Sequence, residues 1–322
     1  MRIPLGRRTI VVTAIVLAML AAVWIYRSSL VQQSLMFNKL RQENEALRAE
    51  LEMARQREVQ REQTLKHTSR SADEFLALFP AKFPAGDWQP SETTFEDCWF
   101  TASDGLRLHA WYLRHPQPRA AVLHLHGNAG NLTHRADTAE FLRQQFNVSV
   151  LIFDYRGYGR SEGIPTMLGL LRDARAARTL LAEREQLAED QIVLMGESLG
   201  GAVAVDLAAE DGARGLILEN TFSSLRDVAG AHYPKFLVSM LVADKLNSAA
   251  KIKQYRGPLL QVHGDADTVV PLDSGRKLHT AANEPKSLLI LPGHDHNDQL
   301  PKSYYAELET FLQRLPTTSP KP

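Results

Sequence analysis

The sequence predicts an α/β fold in which a mostly parallel, eight-stranded sheet is covered by helices on both faces. Three observations support this prediction: short apolar runs recur along the chain, amphipathic helical stretches separate them, and a glycine-flanked serine lies between one run and the next helix. Strands that alternate with helices in this way are typical of parallel sheets with both faces buried. The eight predicted strands are Thr94–Thr101, Leu106–Leu113, Ala120–Leu125, Val148–Phe153, Ile192–Met195, Leu216–Leu218, Leu259–Val262 and Leu288–Leu291.

The connections between these runs complete the predicted domain, which we expect to span residues 71–322. The Ser-Asp-Gly turn at 103–105 predicts that the first two strands are antiparallel. Amphipathic patterns predict helices over Leu168–Glu185 and Ser303–Leu315. Residues 222–257 form the only connection between predicted strands that is long enough to hold a small cap.

Composition excludes some classes of partner. Of 322 residues, 44% are hydrophobic and 23% are charged, and the formal net charge is zero. Because no long-range positive field exists to attract phosphates, we expect no nucleic-acid binding. Cys98 is the only cysteine, so no intramolecular disulfide can form, and cysteine usage does not identify the compartment.

Residues 1–30 contain an apolar, uncharged run, Thr9–Tyr26. As a helix, these residues would span about 27 Å, close to the thickness of a bilayer's hydrocarbon core. Arg2, Arg7 and Arg8 precede the run, whereas only Arg27 follows it closely. This asymmetry predicts a single transmembrane signal-anchor with the catalytic domain on the non-cytoplasmic side, periplasmic or extracellular. A cleaved signal peptide and a buried soluble helix are the alternatives.

Residues 31–70 are mostly polar and, between Gln32 and Lys66, contain neither glycine nor proline. This segment predicts either a solvated helical stalk or a short coiled coil that forms a homodimer, and the pattern leaves both open. The positions that follow a heptad spacing are Phe37, Leu40, Asn44, Leu47, Leu51 and Ala54.

The motif G-E-S-L-G-G at 196–201 carries the strongest chemical signal. It follows the apolar run I-V-L-M directly and precedes a helix-forming run. A serine on such a sharp strand-to-helix turn needs glycines two residues before and after it, because side chains there would collide. The pattern therefore predicts that Ser198 is a nucleophile exposed at the edge of the sheet.

A serine hydroxyl needs a base to take its proton and a carboxylate to orient that base. Asp265 and Asp267 follow the seventh predicted strand, and His294 and His296 follow the eighth. Asp267 lies four residues past His263, far enough to turn back towards the centre, so we favour it over Asp265. Position alone does not decide between the two histidines.

An oxyanion hole needs two backbone N–H donors. Leu199, the residue after the nucleophile, is expected to supply one. The loop H-G-N-A-G-N after the third strand is expected to supply the other through the backbone of Asn128, and Gly127 and Gly130 allow close approach of a substrate.

Together these motifs resemble the α/β-hydrolase superfamily, and specifically its Bem46-like branch. The matching stretches are HGNAGNLTHR at 126–135, DYRGYGRSEG at 154–163, GESLGG at 196–201, HGDADTVVP at 263–271 and HND at 296–298. The resemblance covers about residues 95–315. It implies the α/β-hydrolase fold and a triad of Ser198, Asp267 and His296, and its HND element selects His296 over His294. The additional His294-Asp295 pair departs from the family pattern.

The reaction expected from these residues is hydrolysis of an acyl ester or thioester through an acyl-enzyme, without a metal or an organic cofactor. The expected substrate is a small-molecule or lipid acyl ester. Tyr155, Phe222 and Tyr233 are candidate substrate contacts, although aromatic residues of the 222–257 connection fit a buried helix face equally well. A serine peptidase of the same fold and a non-enzymatic, membrane-anchored scaffold are the alternative functions.

Overall fold

The computed structural model describes residues 53, 78–234, 238 and 246–317. Apart from Met53, the predicted membrane anchor and stalk lie outside these residues and remain predictions. Among the described residues, no helix is both long enough and apolar enough to cross a membrane.

The central sheet contains eight strands, as predicted. Neighbouring strands follow the order β8-β7-β6-β5-β3-β4-β2-β1. The ladder is parallel from β8 to β4, whereas β2 is antiparallel to both β4 and β1, which confirms the predicted hairpin. The strands are β1 (Glu96–Thr101), β2 (Arg107–Leu113), β3 (Ala120–Leu125), β4 (Val148–Phe153), β5 (Val193–Glu197), β6 (Gly215–Glu219), β7 (Leu259–Gly264) and β8 (Lys286–Leu291).

Helices connect the strands and cover both faces of the sheet. The two helices that the sequence predicts over 168–185 and 303–315 are present, with small shifts of their ends. In the described part of the chain, three short 3-10 helices occupy Leu132–Arg135, Glu189–Gln191 and Ile252–Gln254. The described α-helices are α1 (Ala136–Phe146), α2 (Met167–Glu185), α3 (Leu199–Asp211), α4 (Leu225–His232), α5 (Ser248–Lys251), α6 (Leu272–Ala281) and α7 (Lys302–Gln313).

Two apolar layers form the core, one on each face of the sheet. Successive side chains of a strand point to opposite faces. Leu123 of β3 accordingly packs in the layer that contains Leu207 of α3, whereas its neighbour Val122 packs with Ala139 of α1 and Leu308 of α7. All are buried, and burial of such a side chain stabilises the fold by about 1.5–3 kcal/mol. The sheet is thereby held rigid beneath its carboxyl edge, where the strand-to-helix turns lie.

A short segment that precedes the sheet was not predicted. Residues 78–85, which we call the strap, run beside the loop that follows β3. Phe79–Pro80 pair in parallel with Ala129–Gly130, and the N–H of Ala81 donates to the carbonyl of Gly130 at 3.0 Å. Leu78 is buried in the core. The strap therefore belongs to the domain that contains the sheet, although it lies before β1.

The connection between β6 and β7 is described at 220–234, 238 and 246–258. It contains α4, α5 and a 3-10 helix. Because residues 235–237 and 239–245 lie outside the described part, the predicted cap over 222–257 stays a prediction.

Candidate active site

Ser198 occupies a strained turn between β5 and α3. Its backbone has φ 52° and ψ −113°, a left-handed conformation that L-residues seldom adopt. The N–H of Ser198 donates to the carbonyl of Glu219 at 2.9 Å. A Cβ atom at Gly196 would lie 2.4 Å from the Gly200 carbonyl oxygen, and one at Gly200 would lie 2.0 Å from the Leu125 carbonyl oxygen. Both glycines are therefore required by the tight approach of backbones at this turn.

A chain of hydrogen bonds links the three side chains proposed as the triad. His296 Nε2 lies 3.1 Å from Ser198 Oγ, and His296 Nδ1 lies 2.8 Å from Asp267 Oδ2. Since the carboxylate accepts from Nδ1–H, Nε2 is the unprotonated nitrogen that can accept the serine hydroxyl proton. The residues come from the ends of β5, β7 and β8, which the parallel sheet brings to one edge.

Asp267 is buried and its second oxygen is satisfied by the backbone. Asp267 Oδ1 accepts from the N–H groups of Val269 and Val270 at 2.9 and 2.7 Å. His263 lies behind the carboxylate, with its Nε2 3.5 Å from Asp267 Oδ2 and 2.8 Å from the Val270 carbonyl oxygen. Burial lowers the pKa of His263, so this ring stays neutral. The carboxylate is thus left to pair with His296.

The alternative candidates for the acid and the base, Asp265 and His294, form hydrogen bonds within and between the loops instead. Asp265 Oδ1 accepts from the N–H of Gly293 at 2.6 Å, which ties the loop after β7 to the loop after β8. His294 Nδ1 lies 3.0 Å from the carbonyl oxygen of Pro292, in its own loop. The structure therefore brings His296, and not His294, to Ser198.

Asp295, which departs from the family pattern, adds a second tie between these loops. Its carboxylate accepts from the N–H of Thr268 at 2.7 Å and from the N–H of His296 at 2.7 Å. These backbone hydrogen bonds lower the pKa of Asp295, so the carboxylate is ionised at neutral pH.

The loop after β3, residues 126–131, lies next to the serine turn and is called the oxyanion loop here. Leu125 at the end of β3 pairs with Gly196, so this loop leaves the sheet directly beside Ser198. The hydroxyl of Tyr158 donates to the Asn128 carbonyl at 2.8 Å, and the N–H of Phe79 donates to Asn128 Oδ1 at 3.0 Å. Among the described residues, no hydrogen-bond acceptor is found for the backbone N–H of Asn128 or of Leu199. The assignment of these two N–H groups to an oxyanion hole stays a prediction.

Asn220 is a residue of this site that sequence reasoning missed. Its side chain donates to the carbonyl of His296 at 2.9 Å and accepts from the N–H of Gly264 at 3.1 Å. Its backbone is left-handed, with φ 46°. The next residue, Thr221, donates its hydroxyl to the carbonyl of Ser198 at 2.6 Å. The segment after β6 thus hydrogen-bonds the serine turn, the end of β7 and the loop after β8. An asparagine two residues after a predicted strand is a weak signal for such a left-handed position.

The three candidate substrate contacts lie in different surroundings. Tyr155 is fully buried, with its ring centroid 4.6 Å from that of His126 and 4.8 Å from that of Phe153. Core side chains cover the ring, and its interpretation as a substrate contact stays a prediction. Phe222 is also buried in the core, whereas Tyr233 at the end of α4 is 65% exposed.

A buried carboxyl group lies below the serine turn. The backbone carbonyl of Glu219 accepts from the N–H of Ser198. Its side-chain carboxyl group accepts a hydrogen bond from the hydroxyl of Tyr304. Burial raises the pKa of Glu219 to about 7.

Among the described residues, no group of three or more His, Cys, Asp or Glu side chains is arranged to hold a metal ion.

The strand order and the strained serine between β5 and α3 define the α/β-hydrolase class of proteins. Residues 116–250 match the Hydrolase_4 family model, described as serine aminopeptidase, S33. The chain is 33% identical over 247 residues to the α/β-hydrolase domain-containing protein WAV2 of Arabidopsis thaliana, covering 70% of this chain and 80% of WAV2. It is 30% identical over 259 residues to protein bem46 of Schizosaccharomyces pombe, covering 76% of this chain and 87% of bem46. The protein belongs to the α/β-hydrolase superfamily, in the branch that contains bem46 and WAV2.

A solved structure has the same fold. The esterase Pf2001 of Pyrococcus furiosus superposes with a TM-score of 0.62 at 23% sequence identity, covering 74% of this chain and 99% of the esterase. At this level of identity the likeness shows the fold alone.

Proposed function

We propose that this protein is a serine hydrolase that cleaves acyl esters or thioesters through a covalent acyl-enzyme. The observation that carries the proposal is the hydrogen-bonded chain from Ser198 through His296 to Asp267. Its geometry is that of an activated nucleophile, a base and an orienting acid. The family membership supports hydrolytic chemistry, and the esterase fold relative is consistent with an ester substrate.

In the first half of the reaction, Ser198 Oγ attacks the acyl carbon while His296 Nε2 accepts the hydroxyl proton. The negative charge that develops on the acyl oxygen is stabilised by the N–H groups of Leu199 and Asn128. The imidazolium ion formed is stabilised by Asp267, whose other oxygen remains bonded to backbone N–H groups. His296 then gives the proton to the leaving alcohol or thiol, and the acyl group stays on Ser198.

In the second half, a water molecule replaces the leaving group. His296 Nε2 accepts a proton from this water as its oxygen attacks the acyl carbon, and the same two N–H groups bind the oxyanion. Collapse of the intermediate returns the proton to Ser198 Oγ and releases the acid. Each residue thus ends in its starting protonation state.

The test is covalent labelling by a fluorophosphonate together with hydrolysis of p-nitrophenyl esters of increasing acyl length. Ser198→Ala should abolish labelling and lower turnover by several orders of magnitude, with nearly unchanged stability. Ser303→Ala, which changes an exposed serine at the start of α7, is the matched control and should behave as the wild type. Retained turnover in Ser198→Ala would falsify the assignment, and an unlabelled, inactive wild type would favour the scaffold alternative.

A peptidase is the second candidate function, because the matching family model is described as a serine aminopeptidase. An aminopeptidase must hold a substrate's free amino group, which an esterase need not do. Aminoacyl p-nitroanilides and p-nitrophenyl esters should therefore be compared at equal concentration. Faster release from the anilides would favour the peptidase, whereas we expect the esters to be hydrolysed faster.

We further propose that residues 1–30 anchor the protein in a membrane as a single span. The support is the uncharged run Thr9–Tyr26 and its preceding arginines. The protein should then stay in the membrane fraction after carbonate washing, and a reporter fused after Pro322 should behave as exported. Full release by carbonate would contradict the anchor.

A further inference from the structure

An ion pair outside the proposed triad connects the serine turn to the oxyanion loop. Glu197 immediately precedes Ser198, and Arg135 ends the 3-10 helix that follows the oxyanion loop. Arg135 Nη2 donates to Glu197 Oε1 at 3.0 Å, and Nε donates to Oε2 at 3.3 Å. A third donor, Nη1, reaches the carbonyl of Ala129 at 3.2 Å. We call these three contacts the clasp.

The clasp is partly shielded from water and lies against the loop backbone. Only 16% of the Arg135 side chain and 27% of the Glu197 side chain are exposed. A Cβ atom at Gly127 would lie 3.1 Å from Glu197 Oε1, so the pair packs directly on the oxyanion loop. A bidentate pair of this kind fixes geometry more strictly than two exposed charges do.

The two proposed oxyanion donors lie on separate segments. The N–H of Leu199 belongs to the serine turn, two residues after Glu197, and the N–H of Asn128 belongs to the residue before Ala129. The β3–β5 ladder ends at the Leu125–Gly196 pair, before either donor is reached. Beyond that point, Arg135 contacts both segments at once. Removing one oxyanion-hole donor lowers turnover by about 100- to 1,000-fold in well-studied cases, so the separation of the two donors matters.

We propose that Arg135 and Glu197 are positioning residues that set the separation of the two oxyanion donors. The inference rests on the proposed acyl-transfer function. Neither side chain hydrogen-bonds a triad side chain among the described residues, so the pair acts on the oxyanion and leaves proton transfer unaffected. A merely structural ion pair would stabilise the fold without changing how the transition state binds.

The chain offers a control arginine that uses the same three donor atoms, although both of its carboxylate contacts fall on one oxygen and its Nη2 also lies 3.6 Å from Asp211 Oδ2. Arg178 donates from Nε and Nη2 to Glu189 Oε2 at 3.1 and 2.9 Å, and from Nη1 to the carbonyl of Gly212 at 3.2 Å. Glu189 lies before β5, whereas Ser198 follows β5, so about 16 Å of strand separates them. Loss of this pair tests the purely structural effect.

The experiment uses the full-length protein with p-nitrophenyl butyrate as substrate. The variants are Arg135→Lys, Glu197→Gln, the double variant and the control Arg178→Lys. Lysine keeps the positive charge but cannot contact Glu197 and the Ala129 carbonyl together. Each clasp variant should lower kcat by about 10- to 100-fold with KM within about threefold. The double variant should be no worse than the worse single variant.

Two further readouts separate positioning from stability. A trifluoromethyl ketone forms a tetrahedral adduct with the serine, whose oxyanion occupies the two donors, so its affinity should fall in proportion to kcat. The pH dependence of kcat/KM should keep its midpoint, because the triad histidine is not contacted. Arg178→Lys should match the wild type in both readouts even if its thermal midpoint falls.

Three outcomes overturn the inference. The first is kcat in both clasp variants within twofold of the control. The second is loss of kcat without loss of ketone affinity, and the third is a shifted pH midpoint. In each of these cases an active, labelled wild type leaves the proposed function standing. An inactive and unlabelled wild type overturns the proposed function and this inference with it.

Discussion

Replacing Asn220 by glycine removes one side chain from the centre of the proposed site without straining the backbone. Asn220 has φ 46°, a conformation that glycine adopts readily, so the turn itself should be kept. The variant loses two hydrogen bonds, the one donated to the His296 carbonyl and the one accepted from the N–H of Gly264. The perturbation therefore acts on the loops that carry the base and the acid.

The expected magnitude follows from these two contacts. Each hydrogen bond contributes about 1 kcal/mol to the free energy of unfolding, and leaving the buried N–H of Gly264 without an acceptor costs about 1–3 kcal/mol. We expect the free energy of unfolding to fall by about 2–4 kcal/mol. Turnover should fall by about 10-fold or more, because a small displacement of His296 lengthens its contact with Ser198.

The assay combines urea unfolding with ester turnover at a temperature where each variant is folded. Asn147→Gly is the matched control, since Asn147 also has a left-handed backbone, with φ 50°, but follows α1 away from the site. The control should keep wild-type turnover. If Asn220→Gly retains full turnover while losing stability, or if both variants lose turnover equally, the proposed role of Asn220 is refuted.

Two other predictions follow from the site. His296→Ala should lose several orders of magnitude in turnover, as should Ser198→Ala. His294→Ala should lose about tenfold at most, because among the described residues its ring hydrogen-bonds the carbonyl of Pro292 and no triad side chain. Steady-state kinetics of the three variants checks this, and an inactive His294→Ala with an active His296→Ala would reverse the assignment. Glu219 keeps its proton in the folded protein up to about pH 7, whereas its ordinary pKa is 4.5. Its contribution to stability is therefore fully present below pH 4.5 and is lost as the pH rises through 7, a change of about 3 kcal/mol. The stability of Glu219→Gln relative to the wild type should accordingly increase between pH 5 and pH 8. Urea unfolding of both proteins over this pH range measures the difference. The same pH dependence in both proteins would contradict a buried, neutral carboxyl group at Glu219.

The apolar runs of the sequence predicted all eight strands, because buried parallel strands carry a local signal. Their ends were harder to place. The prediction stopped at Met195 and Val262, where polar residues and glycines begin, but β5 continues to Glu197 and β7 to Gly264. Those last residues pair with Glu219 and Leu291 on neighbouring strands. Strand ends are thus set by ladder partners that a local pattern does not contain.

The same contrast applies to the site. Residues that a local motif marks were predicted, whereas residues whose role depends on partners far along the chain were missed. Ser198 and Asp267 are predicted by motifs that follow strands, the family resemblance selects His296, and the structure brings the three side chains together. Asn220 was missed because its partner His296 lies 76 residues further along the chain. The burial of Tyr155 was not predicted either, because a tyrosine in a polar loop gives no local sign of burial, which here comes from packing against Phe153 and His126.

The strap limits how far the N-terminus of this protein can be shortened. A protein starting at Phe95, where the family resemblance begins, would retain every strand of the sheet and the proposed triad. It would lack the N–H of Phe79, which donates to the Asn128 side chain. It would also lack the carbonyls of Ala81 and Ala85, which accept from the Asn131 amide at 3.2 and 2.8 Å. A shortened form for the activity tests should therefore start at or before Leu78, since a shorter protein can fold with Ser198 in place and still bind the proposed transition state poorly.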